Sequence, residues 1–161
     1  MTKVENKGIR LLLDNIRSVH NVGSIFRTAE TLGISKIYCI GMTPIPEDRF
    51  GRKRADFAKV SLGAEDMVPW EYFKGSTRLV KELKEEGFKA IIVEQAKTSI
   101  DYRKVKLAEK SLVVLGNEVG GVSESLLKSA DVIAEIPLKG KKESLNVSVA
   151  AGIALFRFIY P

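Results

Sequence analysis

Four segments of this chain place chemically useful side chains close together. The first is DNIRSVHNVGSIFRTA, running from Asp14 to Ala29 directly after an apolar run. Open α/β sheets put ligand sites at such strand ends. Arg27 falls two residues past Ile25, about 200° around a helix, so it points away from the stripe of Val22, Ile25 and Ala29. Two readings fit Arg27. It is either a cation presented at a cleft, beside a helix start at Asn21–Gly23 able to receive a phosphate, or a solvated helical arginine. Asn15 and Asn21 suit a turn and an N-cap as well as a polar site. His20 suits a loop or capping position.

The second segment is Leu115–Gly121, LGNEVGG, again after a buried run. Gly116 would let a ligand approach the backbone, and Gly120–Gly121 supplies a permissive turn. It lacks the Lys-Ser/Thr of a Walker A loop and the GxGxxG spacing of a dinucleotide fingerprint. A ligand loop and a plain tight turn both fit. The third segment, IPLKGKKESLNVSV from Ile136 to Val149, ends a strand at Pro137 and opens a helix at Ser144-Leu145-Asn146. Ser144 reads as the N-cap, while Asn146, in the first turn of an apolar helix, needs a partner. The fourth, RFGRKRADFAK from Arg49 to Lys59, sets Arg49, Arg52, Lys53 and Arg54 beside Phe50 and Phe57. That mixture suits a nucleic-acid backbone, and equally a solvated loop.

These segments must be held by elements. Ile9–Leu13, Ile37–Ile40, Ala90–Val93, Leu112–Leu115 and Val132–Ile136 read as buried strands. Val22–Leu32, with Asn21 as N-cap and Gly33 as stop, reads as an amphipathic helix; Thr77–Glu86 and Ser123–Ala130 follow the same logic. Strands alternating with helices imply a mostly parallel sheet covered on both faces. The last helix, Leu145 to Tyr160, is apolar all round, which a single buried face does not explain. Core burial plus a subunit interface does.

The 161 residues suit one domain with a core of its own. A composition that is 45% hydrophobic and 29% charged excludes a disordered chain or a fibre. One cysteine, Cys39, excludes an internal disulfide and suits a reducing compartment, and with one histidine it leaves too little for a His/Cys metal site. No apolar run reaches membrane-spanning length, and the opening MTKVENKGIR is too charged for a leader. A net charge of +6 leans toward a polyanionic partner.

Three of the segments, in this order, resemble the signature motifs of the SpoU (TrmH-like) RNA methyltransferases of the SPOUT class. The first motif is similar to Asn21-x-Gly23-x-Ile25-x-Arg27-Thr28-Ala29. The second is similar to Leu115-Gly116-Asn117-Glu118-x-x-Gly121-Val122. The third is similar to Ile136-Pro137-Leu138 followed by Ser144-Leu145-Asn146-Val147-Ser148-Val149-Ala150. Leu62-Gly63-Ala64-Glu65 and Val68-Pro69-Trp70 between them also resemble the family.

The resemblance implies an α/β fold, a mostly parallel sheet with helices on both faces and a deep trefoil knot over about residues 112–161. One methyltransferase domain is expected across 1–161, without an added RNA-binding domain. The implied reaction is methyl transfer from S-adenosylmethionine to a ribose 2′-hydroxyl of RNA, with tRNA favoured and rRNA possible, and without a metal. Arg27, Asn21, Glu118, Ser144 and Asn146 would be catalytic, with Ser144 and Asn146 holding Arg27 and the substrate. Gly116, Asn117, Glu118, Gly121, Ile136, Leu138, Leu145 and Asn146 would hold the cofactor. Arg27, Arg49, Arg52, Lys53, Arg54, Lys141 and Lys142 would meet RNA. A cytoplasmic homodimer through the knot region and last helix is implied, with no membrane partner. A base-nitrogen methyltransferase and a non-catalytic RNA-binding protein are the alternatives. The intact Asn, Arg and Ser-Leu-Asn motifs argue against the first, and intact Arg27, Glu118 and Asn146 argue against the second.

Overall fold

The computed structural model describes residues 8–161; the charged opening read against a leader lies outside the described residues, apart from its last three positions. Seven strands form one sheet: β1 (Ile9–Asp14), β2 (Lys36–Ile40), β3 (Trp70–Phe73), β4 (Lys89–Val93), β5 (Ile100–Asp101), β6 (Ser111–Gly116) and β7 (Val132–Glu135). Their order is β3-β2-β1-β6-β4-β7-β5, and every pairing is parallel. The central strand β6 is buried throughout, as a strand covered on both faces must be.

Alternation divides the core into two layers. Leu11, Leu13, Ile37, Cys39, Val113 and Leu115 face one side. There they meet α1 (Val19–Thr31), α2 (Ala55–Ser61), α3 (Ala64–Met67) and α6 (Val147–Ile159). Leu12, Tyr38, Ile40, Ile92, Leu112 and Val114 face the other, against α4 (Thr77–Glu85) and α5 (Glu124–Ser129). Gly23 lets α1 and α2 approach, because a Cβ there would stand 3.1 Å from Val60 Cβ. Burial of Cys39 pushes its thiol pKa up to about 12.

The five strands and four helices read from the sequence are all present. Two caps are corrected. The N-cap of α1 is Ser18, whose hydroxyl accepts from the Asn21 N–H at 3.2 Å, so Asn21 lies inside the helix. The N-cap of α6 is Asn146, not Ser144. In the first case an earlier hydroxyl frees the Asn21 amide for other partners; in the second, the Asn146 oxygen reaches the first N–H groups of the helix. No described helix is long and apolar enough to cross a membrane.

Candidate active site

All strands run the same way, so the loops after β1, β2, β4, β6 and β7 gather at one edge of the sheet. The loop after β6 is tied down on both sides. Asn117 and Gly121 pair backbone to backbone, both bonds at 3.0 Å, which closes a five-residue hairpin. Asn117 Oδ1 accepts from the N–H groups of Val119 (2.9 Å) and Gly120 (2.8 Å), while its Nδ2 donates to the Asn15 carbonyl at 2.7 Å. Asp14, at the end of β1, accepts from the Ser123 N–H at 2.9 Å. Glu94, just past β4, accepts from the Val122 N–H at 3.0 Å. Neighbouring strands on each side of β6 therefore end in a carboxylate that grips the same loop. Asp14 and Glu94 were missed in the sequence, where isolated acids after apolar runs carry no pattern.

Glu118 projects from this loop to the start of α1. Its carboxylate accepts from the N–H groups of Arg17 (3.0 Å) and Ser18 (3.1 Å) and from Asn21 Nδ2 (3.1 Å). Burial pushes this carboxyl up, but the N–H groups of Arg17, Glu118 itself and Ser18, with the Asn21 amide, outweigh it and hold it below the usual carboxylate range. An ionised carboxylate only accepts, so Asn21 must offer its NH2 there and its oxygen elsewhere. That oxygen takes Asn146 Nδ2 at 3.1 Å. Asn146 in turn gives its own oxygen to the Ser148 N–H (2.9 Å), the Val149 N–H (3.4 Å) and the Ser148 hydroxyl (2.6 Å). One anion thus orients two amides and fixes the start of α6 against α1. The polar residue that the sequence left needing a partner in an apolar helix has found one.

Beside this relay lies a cavity of about 520 Å³, within the size range of small-molecule sites. Its floor and walls include Leu115, Val122, Ile136, Leu138, Leu145, Val147 and Ala150, with the 116–121 backbone along one side. Glu94, Glu118 and Glu143 are among the lining residues, and among the described residues no lysine or arginine lines it. Of the expected cofactor residues, Gly116, Asn117, Glu118, Gly121, Ile136, Leu138 and Leu145 all line this cavity, as does Ser144; Asn146 does not line it, its amide being engaged in capping α6 and in the bond to Asn21. The reason for Gly116 differs from the one read in the sequence. A Cβ there would overlap the Val122 nitrogen and stand 2.5 Å from the Gly121 carbonyl carbon. The loop's own return arm, rather than a ligand, excludes a side chain.

Arg27 is exposed on α1 and outside the cavity lining, and among the described residues its side chain makes no hydrogen bond or ion pair to Ser144 or Asn146. It shares the outer face of α1 with His20, two turns earlier, and exposed Arg17 stands just before the helix. The basic loop after β2 reaches the same edge of the sheet, but most of its charge is paired. Arg52 meets Asp48 at 2.9 Å, Lys53 meets Asp66 at 2.6 Å and Arg54 meets Asp56 at 2.8 Å. Arg49 is left over the Phe50 ring, 4.7 Å from its centroid. Lys141 and Lys142 are exposed on the loop that leads into α6. Among the described residues no group of three or more His, Cys, Asp or Glu could hold a metal ion.

These motifs and this geometry coincide with one known family: residues 8–156 match the SpoU rRNA Methylase family. The chain belongs to it. Among SpoU relatives, the 23S rRNA (guanosine-2′-O-)-methyltransferase RlmB of Nitrosomonas europaea is 35% identical over 91% of this chain and 54% of that protein. The tRNA (guanosine(18)-2′-O)-methyltransferase of Aquifex aeolicus is 30% identical over 93% of this chain and 68% of that protein. The chain thus spans little more than half the length of several of the curated relatives it matches, 54% to 60% of three RlmB proteins. The crystal structure of the A. aeolicus TrmH/SpoU tRNA modifying enzyme superposes with a TM-score of 0.83 at 28% identity, over 96% of this chain and 75% of that one. The AdoMet-bound rRNA methyltransferase of Sinorhizobium meliloti gives 0.82 at 28% identity, over 92% and 54%. The seven-stranded parallel sheet between helical layers is therefore the SpoU fold.

Proposed function

We propose that this SpoU chain is an S-adenosylmethionine-dependent RNA methyltransferase acting on a ribose 2′-hydroxyl, in tRNA or rRNA. The observation that carries the reading is the meeting of all three family motifs. The 116–121 loop, the 136–138 stretch and the 144–147 turn surround one cavity, and the Glu118–Asn21–Asn146 relay joins that cavity to the helix bearing Arg27. The residues fit the cofactor. An apolar wall suits adenine, a backbone-lined side suits its ring edges, and carboxylates without competing cations suit a ligand carrying a sulfonium and an ammonium.

The bound cofactor supplies an activated methyl group; everything else falls to the chain and its RNA. The Arg27 guanidinium stays protonated at neutral pH, so it does not serve as the base. It clamps the phosphate beside the target nucleotide and stabilises charge developing on the 2′-oxygen. A phosphate oxygen or water takes the proton. Glu118, Asn21 and Asn146 hold α1 and α6 together, which fixes the helix that presents Arg27. Because Arg27 lies outside the cavity of its own chain, we assign the complete site to a homodimer. The exposed stripe of Val149, Ile153, Phe156 and Tyr160 on α6 supplies the apolar surface for it. Lys141, Lys142 and Arg49 meet RNA with Arg27, and Arg52, Lys53 and Arg54 do so from within their ion pairs. The chain works as a single cytoplasmic methyltransferase domain. Its residues from about 112 onward form the family's trefoil knot, a reading supported by the lining of one cavity by both the 116–122 loop and residues of the 136–145 segment.

Incubation with labelled S-adenosylmethionine and total RNA, followed by nucleoside mapping, tests the reading. A 2′-O-methylated nucleoside is expected. A base-methylated product would move the chain to the alternative chemistry, and cofactor binding without any product would make it a binding protein.

A further inference from the structure

Glu94 belongs to none of the family motifs, yet it occupies the cavity wall. Its backbone is fixed, the N–H bonding the Ala134 carbonyl of β7 at 3.0 Å. Its two carboxylate oxygens are engaged once each. Oε1 accepts from the Gln95 N–H at 2.8 Å and Oε2 from the Val122 N–H at 3.0 Å. Gly121 is shaped around it, since a Cβ at that position would overlap Oε2. No cation among the described residues lines the cavity to neutralise it. Each ionised carboxylate oxygen can accept about two hydrogen bonds, so each keeps one acceptor position. Glu94 is therefore a rigid pair of neighbouring acceptors, half-buried, without a charged partner, on the wall of a ligand-sized cavity.

We propose that Glu94 is a specificity-determining residue of the cofactor site, accepting the two adjacent ribose hydroxyls of S-adenosylmethionine. This rests on the cofactor reading given above. Two vicinal hydroxyls match two side-by-side acceptors, and a charged acceptor makes each bond stronger than a neutral one. The same carboxylate grips Val122, so occupation of the diol position and the set of the 117–122 loop are coupled through one side chain.

The test compares S-adenosylhomocysteine, the demethylated cofactor, with its 2′-deoxy and 3′-deoxy analogues by titration calorimetry on the full chain. The readout is the ratio of affinities, which general weakening of the site leaves untouched. The wild type is expected to lose about tenfold or more for each missing hydroxyl, the scale of a bond to a charged group. Glu94→Ala and Glu94→Gln should bind S-adenosylhomocysteine more weakly and discriminate far less. A carboxylate that only braces the loop would lower all affinities together and preserve the ratio, which overturns the proposal. A wild-type ratio near one overturns it without any variant. Absence of binding by both S-adenosylhomocysteine and S-adenosylmethionine to the wild type would instead overturn the cofactor reading itself.

Discussion

Arg27 and Glu118 illustrate how differently two candidate site residues announce themselves. Arg27 stands opposite the buried stripe of α1, and its spacing alone makes it a candidate. Glu118 has no periodicity to betray it, and only the family motif marked it. The structure supplies its physical role, an anion that orients two amides in series. If Arg27 acts on developing charge, Arg27→Ala should leave cofactor affinity unchanged and reduce single-turnover methylation about a hundredfold or more. Arg27→Lys should recover little, since an ammonium cannot make the planar two-point contact. A solvated arginine would instead cost under roughly 0.5 kcal/mol of stability and nothing in rate. Glu118 predicts a pH dependence. Its carboxyl is held below its ordinary value in the folded chain, so it stabilises the fold above the unfolded-state pKa, and the contribution disappears as pH falls through the folded one. Thermal unfolding should show Glu118→Gln less stable than wild type at neutral pH, with the gap closing in acid.

At the scale of elements, burial was legible and edges were not. The five strands read from the sequence are those whose apolar runs lie inside the sheet. The two that escaped are β3, where Glu71 and Tyr72 are exposed, and the two-residue β5. Both pair on one side only, so neither needs a continuous apolar run. Helices α2 and α3 were not legible because seven and four residues leave little periodicity to read. Strand order was not legible at all, since side chains on β6 do not encode which neighbour they meet. The loop after β6 yields a prediction about its first glycine. Gly116→Val should lower the melting temperature sharply, because its side chain would collide with backbone at Gly121 and Val122. Gly140→Ala, where a Cβ meets nothing within 4 Å, should leave stability nearly unchanged. Differential scanning calorimetry of the two variants distinguishes loop collision from a general intolerance of side chains at glycines.

On the scale of the whole molecule, the proposed assembly and the distribution of charge make separate predictions. Ile153 and Phe156 are 36% and 58% exposed in the single chain, too much apolar surface for a helix that ends its work in the monomer core. Ile153→Asp or Phe156→Asp should convert a dimer to monomer or insoluble protein, and sedimentation of the wild type should show dimer at micromolar concentration. A stable wild-type monomer there would remove the dimer from the proposal. Of the basic residues in the loop after β2, Arg52, Lys53 and Arg54 each face a carboxylate, so they are less free to meet a polyanion than Lys141 and Lys142. Replacing Lys141 and Lys142 together should flatten the salt dependence of RNA affinity by about 0.7 for each phosphate they neutralise, the value for single strands. Replacing Lys53 should flatten it by less, since Asp66 must first be displaced.

The sheet order also governs how the protein is made. The site's central contact joins Arg17 to Glu118, 101 positions apart, and β1 pairs along its full length with β6. At ordinary synthesis rates, β1 therefore waits on the order of 5 to 20 seconds for its inner neighbour to be translated. Through that interval one side of a strand reading Ile-Arg-Leu-Leu-Leu-Asp has unfilled N–H and C=O groups. A nascent chain in this state can hold β1, β2 and β3 together but has no ligand cavity. The cavity, lined by residues from Val93 to Ala150, is thus completed only after the 143–150 segment has been made.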